Sequence, residues 1–480
     1  MADITSAISL EELNKRFAQI GYDEEAMQKQ LDAEIAKSKV KFVVLDDDPT
    51  GVQTVHDITV FTDWTVESIK KGFMLDDKLF YILTNSRGLT VEQTTKLHKE
   101  IAANVMQAAK ELNQEFIIIS RSDSTLRGHY PLETKLLKEC LESENNTKIH
   151  GEILFPFFKE GGRFTADDIH YVNYGGKLVP AGETEFAKDK TFGYTHSNLC
   201  EYVEEKTAGE YKASDVTRIS LYSLRNGEVN VIKHQLMEVN NFNKVIVNAL
   251  DYCDVRVFCT ALYQALAEGK RFMFRTAASF VKVVGGVSDI PLLTSKDMVK
   301  EGNTNGGIIV VGSHTQKTTS QLEELKKVDG LEFIEFQSDL VLEDRLDEEV
   351  ARVVSLSEKY ISEGKSVVCY TNRKLLTVEN DTPEAALVRS VKISDGVQAL
   401  VGNLKVTPAF VIAKGGITSS DVGVKALKVK QALVLGQIRP GIPVWKTGEE
   451  SRFPGIPYVI FPGNVGEVTT LREAVEILLK

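Results

Sequence analysis

The chain has 480 residues, 42% hydrophobic and 26% charged, with a formal net charge of −11. That length and apolar content predict two or three soluble domains, and the acidic balance excludes nucleic acid or an anionic membrane as the main partner, because either favours a basic face. The five cysteines (Cys140, Cys200, Cys253, Cys259 and Cys369) include no CxxC pair, and neither a basic-then-apolar leader nor an apolar run of membrane-helix length is present, so the expected location is the reducing cytoplasm.

Residues 9–37 are charged and helix-prone, with Leu10, Leu13, Phe17 and Ile20 at helical spacing, which predicts a docked helical extension over 1–38. From 41 to 280, short β-branched runs alternate with amphipathic segments. Strands are expected over 42–45, 58–61, 80–83, 116–119, 153–155 and 245–247, and the clearest helix over 94–112. Such alternation predicts a mostly parallel sheet wrapped by helices. The stretch 159–211, rich in Gly, Thr and Asp, reads as a long irregular excursion of the kind that carries function. A polar run at 301–307 is expected to separate a first domain, 39–298, from a second, 307–480, with a hinge near 303–306. In the second domain, strands over 308–311, 366–370, 409–413 and 458–461 alternate with helices over 316–327, 347–362 and 383–401. The fold class is α/β, two α/β domains with mostly parallel sheets.

Two strand ends in the first domain carry unusual charge. The apolar run 42–45 stops in Asp46-Asp47-Asp48-Pro49-Thr50-Gly51, and the run 116–119 passes into Ser120-Arg121-Ser122-Asp123-Ser124-Thr125-Leu126-Arg127-Gly128. Crowded carboxylates resist burial unless a cation, a proton or a substrate hydroxyl offsets the cost. A lone Asp-Asp pair more often marks a solvated loop, but two charged strand ends in a parallel sheet point to one crevice. In the second domain, Gly312-Ser313-His314-Thr315, Lys414-Gly415-Gly416-Ile417-Thr418 and Pro462-Gly463-Asn464 each follow a predicted strand. Glycine lets the backbone approach a phosphate closely, so three such loops on one sheet edge predict a phosphate or nucleotide site. There is neither a Walker A motif nor a GxGxxG fingerprint, which disfavours a P-loop or Rossmann site. His56, His129, His170 and His314 show no metal-ligand spacing, so no metal site is expected, and Trp64 and Trp445 read as packing residues.

Two enzymes fit the first domain. Asp46-x-Asp48-x-Thr50 followed by Leu83-Thr84-Asn85-Ser86 resembles the first motifs of haloacid-dehalogenase-like phosphatases. There Asp46 would be the nucleophile, Asp48 the acid/base and Thr84 a phosphate ligand; that reading leaves the second domain unexplained. A fuller match runs from residue 41 onward: Asp47-Asp48-Pro49-Thr50-Gly51, Asp123-Ser124-Thr125-Leu126-Arg127-Gly128, Lys414-Gly415-Gly416-Ile417-Thr418 and Pro462-Gly463-Asn464 together resemble the four-carbon acid sugar kinase family. The resemblance implies an ATP-dependent kinase of threonate, erythronate or 3-oxo-tetronate that phosphorylates the terminal hydroxyl. It also implies an N-terminal sugar-acid domain, a C-terminal nucleotide domain and an active site in the cleft between them. Carried over by motif, Ser313, Gly415, Gly416, Ile417, Thr418 and Gly463 would contact the nucleotide. The chain departs from the family pattern at Pro49, where leucine is usual, at Arg121, where lysine is common, and in the bulky loop 157–163.

Chemistry then suggests roles. A tetronate carboxylate calls for a guanidinium fork, and the candidates are Arg87, Arg121, Arg127 and Arg163, with Arg127 and Arg121 first. Asp47 or Asp48 would orient the attacking hydroxyl and take its proton, with Asp123 as a further substrate contact or competing base, and Mg²⁺ would neutralise the phosphates. Lys414 either reaches the phosphates or is a solvated strand-end lysine. A nucleotide-binding protein without turnover would keep the glycine loops but has no need for the charged strand ends. The oligomeric state stays open, a homo-oligomer included.

Overall fold

The computed structural model describes residues 7–479 apart from 146, 301, 314, 375, 377, 379, 380 and 464; His314 and Asn464 of the expected nucleotide loops therefore lie outside the described residues. The chain forms two compact units, Met1–Gly51 with Asp63–Ser288, and Val52–Thr62 with Asp289–Lys480. Both are α/β with mostly parallel sheets.

In the first unit the strands run in the order Thr217–Ile219, Asn243–Val247, Gly151–Phe155, Phe272–Thr276, Phe116–Arg121, Lys41–Asp46 and Leu79–Leu83, every pair parallel. Lys41–Asp46 is apolar on both faces and buried from Phe42 onward, as expected for a strand covered by helices on either side. The expected 94–112 helix is Val91–Leu112, opened by a capping box between Thr90 and Gln93.

The N-terminal extension consists of two helices, Leu10–Arg16 and Glu24–Lys37. The break falls at Gly21, whose N–H donates to the Arg225 carbonyl (2.7 Å). The second helix buries Met27, Leu31 and Ile35 and is tied to the helix Tyr252–Ala267 through the ion pair Glu24–Arg256. The stretch read as irregular holds three antiparallel strands, Lys177–Pro180, Ile169–Tyr174 and Arg163–Ala166, joined at the edge by Ile8–Ser9 from the N-terminal segment, and the helix Leu199–Lys206. Its strands are too short for period-two alternation to show, and positive-φ turns at Asp167, Asp168, Gly175 and Gly176 separate them.

The second unit has five parallel strands, Pro457–Phe461, Val411–Lys414, Ile308–Val311, Ser366–Thr371 and Leu331–Phe336, continued antiparallel by Ile442–Thr447, Gln431–Arg439 and Ile58–Phe61. Ile58–Phe61, expected in the first domain, pairs with Gln431–Arg439. It is buried at all four positions, so its apolar pattern suits any sheet interior and names no partner. Residues 289–306 also fold with the second unit. Leu293 and Met298 join its core, Gly306 donates to the Ile361 carbonyl, and Ala409 donates to the Gly306 carbonyl. The segment 303–306 is therefore docked inside one unit and does not serve as the expected hinge. Among the described residues no helix is long and apolar enough to cross a membrane.

Candidate active site

Parallel pairing sets Asp46 directly beside Leu83 on one side and Arg121 on the other. All three strands end at the same sheet edge, so the loops after them converge. The first loop turns sharply: the Asp48 carboxylate accepts from the Thr50 N–H (2.9 Å), and the Gly51 N–H donates to the Asp48 carbonyl (3.0 Å). It passes so close to the strand end that a Cβ on Gly51 would lie 1.9 Å from Asp46 Oδ2. Asp46 cannot retreat easily, because Arg121 Nη1 grips its Oδ1 at 3.1 Å. Gly51→Ala should therefore cost about 1–3 kcal/mol of overpacking strain, read as a lower denaturation midpoint; an unchanged midpoint would show that Asp46 can swing aside.

Four aspartates and three arginines form one network. Arg87 Nη2 lies 3.2 Å from Asp47 Oδ1 and 2.9 Å from Asp48 Oδ2, and its Nη1 lies 3.6 Å from Asp123 Oδ1. Arg127 Nε donates to Asp123 Oδ2 at 2.7 Å, and the Thr125 hydroxyl donates to the same oxygen. The four carboxyls divide in their proton affinity. Burial is the largest influence on all of them and raises the pKa. For Asp46 it prevails over Arg121, with Asp47 and Asp48 adding to it, and the group is pushed up to about 7. Asp47 is pushed up to about 6 by burial against Arg87 and Arg121, helped by Glu133 and Asp48. Asp48 goes the other way, since Arg87, the Thr50 hydrogen bonds and Arg121 outweigh burial. Asp123 is held well below the usual carboxylate range by Arg127, Arg87 and the Thr125 hydrogen bond.

The arginines expected to bind a substrate carboxylate differ in what they already hold. Arg121 is 3% exposed and bound to Asp46, so the structure makes it a partner of the acidic loop instead of a first-choice fork. Arg87 and Arg127 are paired with aspartates, Arg127 also reaching Asp189 at 3.9 Å. Arg163 is the exception: among the described residues no carboxylate pairs with it, its guanidinium donates only to the Gly161 carbonyl, and its Nε is buried without a partner. Burial pulls it below its ordinary value despite nearby Asp123. It and Arg127 both face the Phe186 ring, at 5.8 and 5.0 Å from the centroid. One acceptor is also unfilled, since Asp47 Oδ2 is buried and has no hydrogen-bond partner.

Arg275, Glu133, Asp189 and Phe186 were not singled out in the sequence. Arg275, next to last in the Phe272–Thr276 strand, donates to the Arg127 carbonyl (2.7 Å). Its place at the end of an apolar run is the same signal that marked Arg121. The phosphatase reading fares poorly: its nucleophile Asp46 is held by Arg121 at 3.1 Å, and its phosphate ligand Thr84 donates both N–H and hydroxyl to the Asp46 carbonyl (2.8 and 2.9 Å).

In the second unit, Val311 pairs with Lys414 and Lys414 with Phe461, so the loops bearing Ser313, Gly415–Thr418 and Gly463 leave one edge together. Gly415 has φ 120° and sits where a Cβ would be 3.3 Å from Ser313 Cβ and 3.4 Å from Thr418 Oγ1, so its bare backbone lets two loops close up. Ser313 Oγ is itself held from the helix Gln316–Leu325, accepting from Thr318 Oγ1 (3.2 Å). Gly416 opens the short helix Gly416–Asp421, and Ile417 is 74% exposed beside it, an apolar side chain open to a ligand ring. Lys414 is neither solvated nor free for phosphate. It is fully buried and donates to the carbonyls of Pro462 (2.7 Å) and Gly463 (3.1 Å), over the Phe461 ring. Burial, then the charge of Lys317, push it down to about 7. Arg373, unmarked in the sequence, is a cation at this edge: its Nη2 donates to the Ser313 carbonyl (2.6 Å), while its Nη1 is buried without a partner. Close backbone, an exposed isoleucine and an incompletely satisfied guanidinium fit a nucleotide. Lys414→Met should free the Gly463 loop and weaken nucleotide binding about 10-fold, the worth of one net hydrogen bond, with sugar-acid binding unchanged. Equal titrations of variant and wild type with nucleotide would reject that role.

A family model described as a sugar-binding N-terminal domain matches residues 42–284, and one described as a nucleotide-binding C-terminal domain matches residues 308–471. Together they define a protein that binds a sugar on one domain and a nucleotide on the other. The chain belongs to the four-carbon acid sugar kinase family. No curated protein matches the sequence. Among solved structures, one from Salmonella typhimurium LT2, described as a "putative tRNA synthase", is 15% identical with a TM-score of 0.66, the match covering 90% of this chain and 98% of that one. A Haemophilus influenzae protein of the DUF1537 family is 17% identical with a TM-score of 0.57, covering 91% and 100%. At these identities the likeness is one of fold.

Proposed function

We propose that the protein is an ATP-dependent kinase that phosphorylates the terminal hydroxyl of a four-carbon sugar acid of the threonate, erythronate or 3-oxo-tetronate type. The observation that carries this reading is a pair of unmet groups in the sugar-binding unit. Among the described residues Asp47 Oδ2 is an acceptor without a donor, and Arg163 is a cation without a carboxylate. A hydroxy acid brings the complement of both, a hydroxyl proton and a carboxylate. Asp123 links the two, since it pairs with the Arg87 that holds Asp47 and exerts its charge on Arg163.

In this reading Arg163, with Arg127 beside it on Phe186, takes the carboxylate and fixes the acid's orientation. Asp47 accepts the proton of the attacking hydroxyl at Oδ2, and its pKa near 6 suits a base that works at neutral pH. Arg87 and Arg121 hold Asp47 in place, and Asp48, already held by Arg87 and Thr50, shapes the loop. ATP, with Mg²⁺ on its phosphates, supplies the phosphoryl group, and Ser313, Gly415, Gly416, Ile417, Thr418, Gly463 and Arg373 would hold it.

The test is ADP release with Mg²⁺-ATP across both stereoisomers of threonate and erythronate and their 3-oxo forms, beside an ATP-free assay on sugar phosphates. Acid-dependent ADP release is expected. Phosphate release without ATP would favour the phosphatase, and nucleotide binding with silence in both assays would favour a protein that binds without turnover.

A further inference from the structure

Behind the aspartate loop lies a buried carboxylate with no part in the roles above. Glu133, in the first turn of the helix Leu132–Asn145, is 3% exposed. Its Oε1 accepts from the Ser86 hydroxyl at 2.6 Å and its Oε2 from the Ser120 hydroxyl at 3.3 Å. Ser86 immediately precedes Arg87, and Ser120 immediately precedes Arg121. The two residues whose guanidiniums flank Asp47 are thus each one peptide away from a hydroxyl held by the same carboxylate. We propose that Glu133 is a positioning residue that fastens the turn bearing Arg87 to the strand end bearing Arg121 and so sets where both guanidiniums stand against Asp47. The inference rests on the kinase reading for its catalytic consequence but not for its geometry.

The groups around Glu133 keep it charged. His98, from the helix Val91–Leu112, places Nε2 at 3.7 Å while its Nδ1 is bonded to the Thr94 carbonyl. His129, from the loop before the helix, and Arg275, from the strand Phe272–Thr276, also act on it. Burial opposes ionisation, yet His98, the Ser86 hydrogen bond, Arg275 and His129 outweigh it, and Glu133 lies below the usual carboxylate range. A fixed negative charge behind Asp47 raises the proton affinity of Asp47, opposite to Arg87 and Arg121 and in the same sense as Asp48. Glu133 therefore acts twice, through the spacing of the arginines and through its charge.

Two substitutions separate these effects. Glu133→Gln keeps the length of the side chain and removes the charge, whereas Glu133→Asp keeps the charge but is too short to span both serines. With the acid substrate found by the ADP assay, Glu133→Gln is expected to move the acid limb of the kcat/KM profile to lower pH by ~0.5 unit or more. Glu133→Asp is expected to leave that limb in place and lower kcat. An unchanged kcat in Glu133→Asp overturns the positioning role, and a limb that does not move in Glu133→Gln overturns the charge effect; both together leave Glu133 a core residue. If the wild type turns over no sugar acid, the kinase reading fails separately, and the thermal midpoint between pH 5 and 8 becomes the readout. A raised Asp47 pKa makes the folded state bind an extra proton, so stability falls as pH rises from the ordinary carboxylate range to about 6 and levels off above it. The fall should be shallower in Glu133→Gln than in wild type, and parallel curves would overturn the proposal.

Discussion

Asp47→Asn is expected to lower sugar-acid-dependent turnover by about 10³-fold, the scale of a lost general base, while nucleotide affinity stays within a factor of two. The amide keeps the contact with Arg87 but cannot take a proton at the position of Oδ2. The same change should stabilise the protein above pH 6, because the folded state no longer has to ionise a carboxyl that burial disfavours. Activity and stability of the wild type should thus run in opposite directions. Turnover rises with pH through about 6 as Asp47 loses its proton, whereas the folding free energy declines between about 4 and about 7 as Asp47 and Asp46 are forced to ionise. A pH series of kcat/KM and of thermal midpoints checks both. An Asp47→Asn enzyme with a tenth or more of wild-type turnover would move the base to Asp48 or Asp123, and Asp48→Asn would then become the decisive variant.

Arg163→Gln should raise KM for the sugar acid by about 10², the loss of a charge-assisted, two-pronged contact of about 3 kcal/mol, with a smaller change in kcat. Stability should hold or improve, because the substitution removes a buried guanidinium that has no carboxylate partner among the described residues. Arg163→Lys would retain charge without the fork and fall between the two. An unchanged KM would pass the carboxylate to Arg127.

The charged strand ends were legible in the sequence because an apolar run that stops in several ionisable residues has few places to go except the edge of a sheet. The glycine loops were legible for the same reason. What one chain of letters does not carry is pairing. Arg121 stood ahead of Arg163 as a candidate, and only the fold shows that Arg121 is bound to Asp46 while Arg163 faces Phe186. Lys414 was equally ambiguous: its neighbours Gly415 and Gly416 suggest phosphate, but its ammonium holds the Gly463 loop from beneath. Glu133 was hidden because a glutamate in the first turn of a helix is ordinarily a solvated charge near the positive end of the dipole, and nothing local marks that turn as interior. The strand Ile58–Phe61 shows a similar limit, being readable as a strand while its sheet was not.

That strand bears on how the chain could be taken apart. Because Val52–Thr62 folds with the later residues, the polypeptide passes from one unit to the other after Gly51, after Thr62 and again after Ser288. A fragment starting at Asp289 would lack Ile58–Phe61 and leave Gln431–Arg439 as a bare edge of nine residues, an open template for strand addition by other chains. A single proteolytic nick therefore cannot release either half intact, and a splice that rebuilt the second unit would have to graft the 52–62 segment with its strand back onto it.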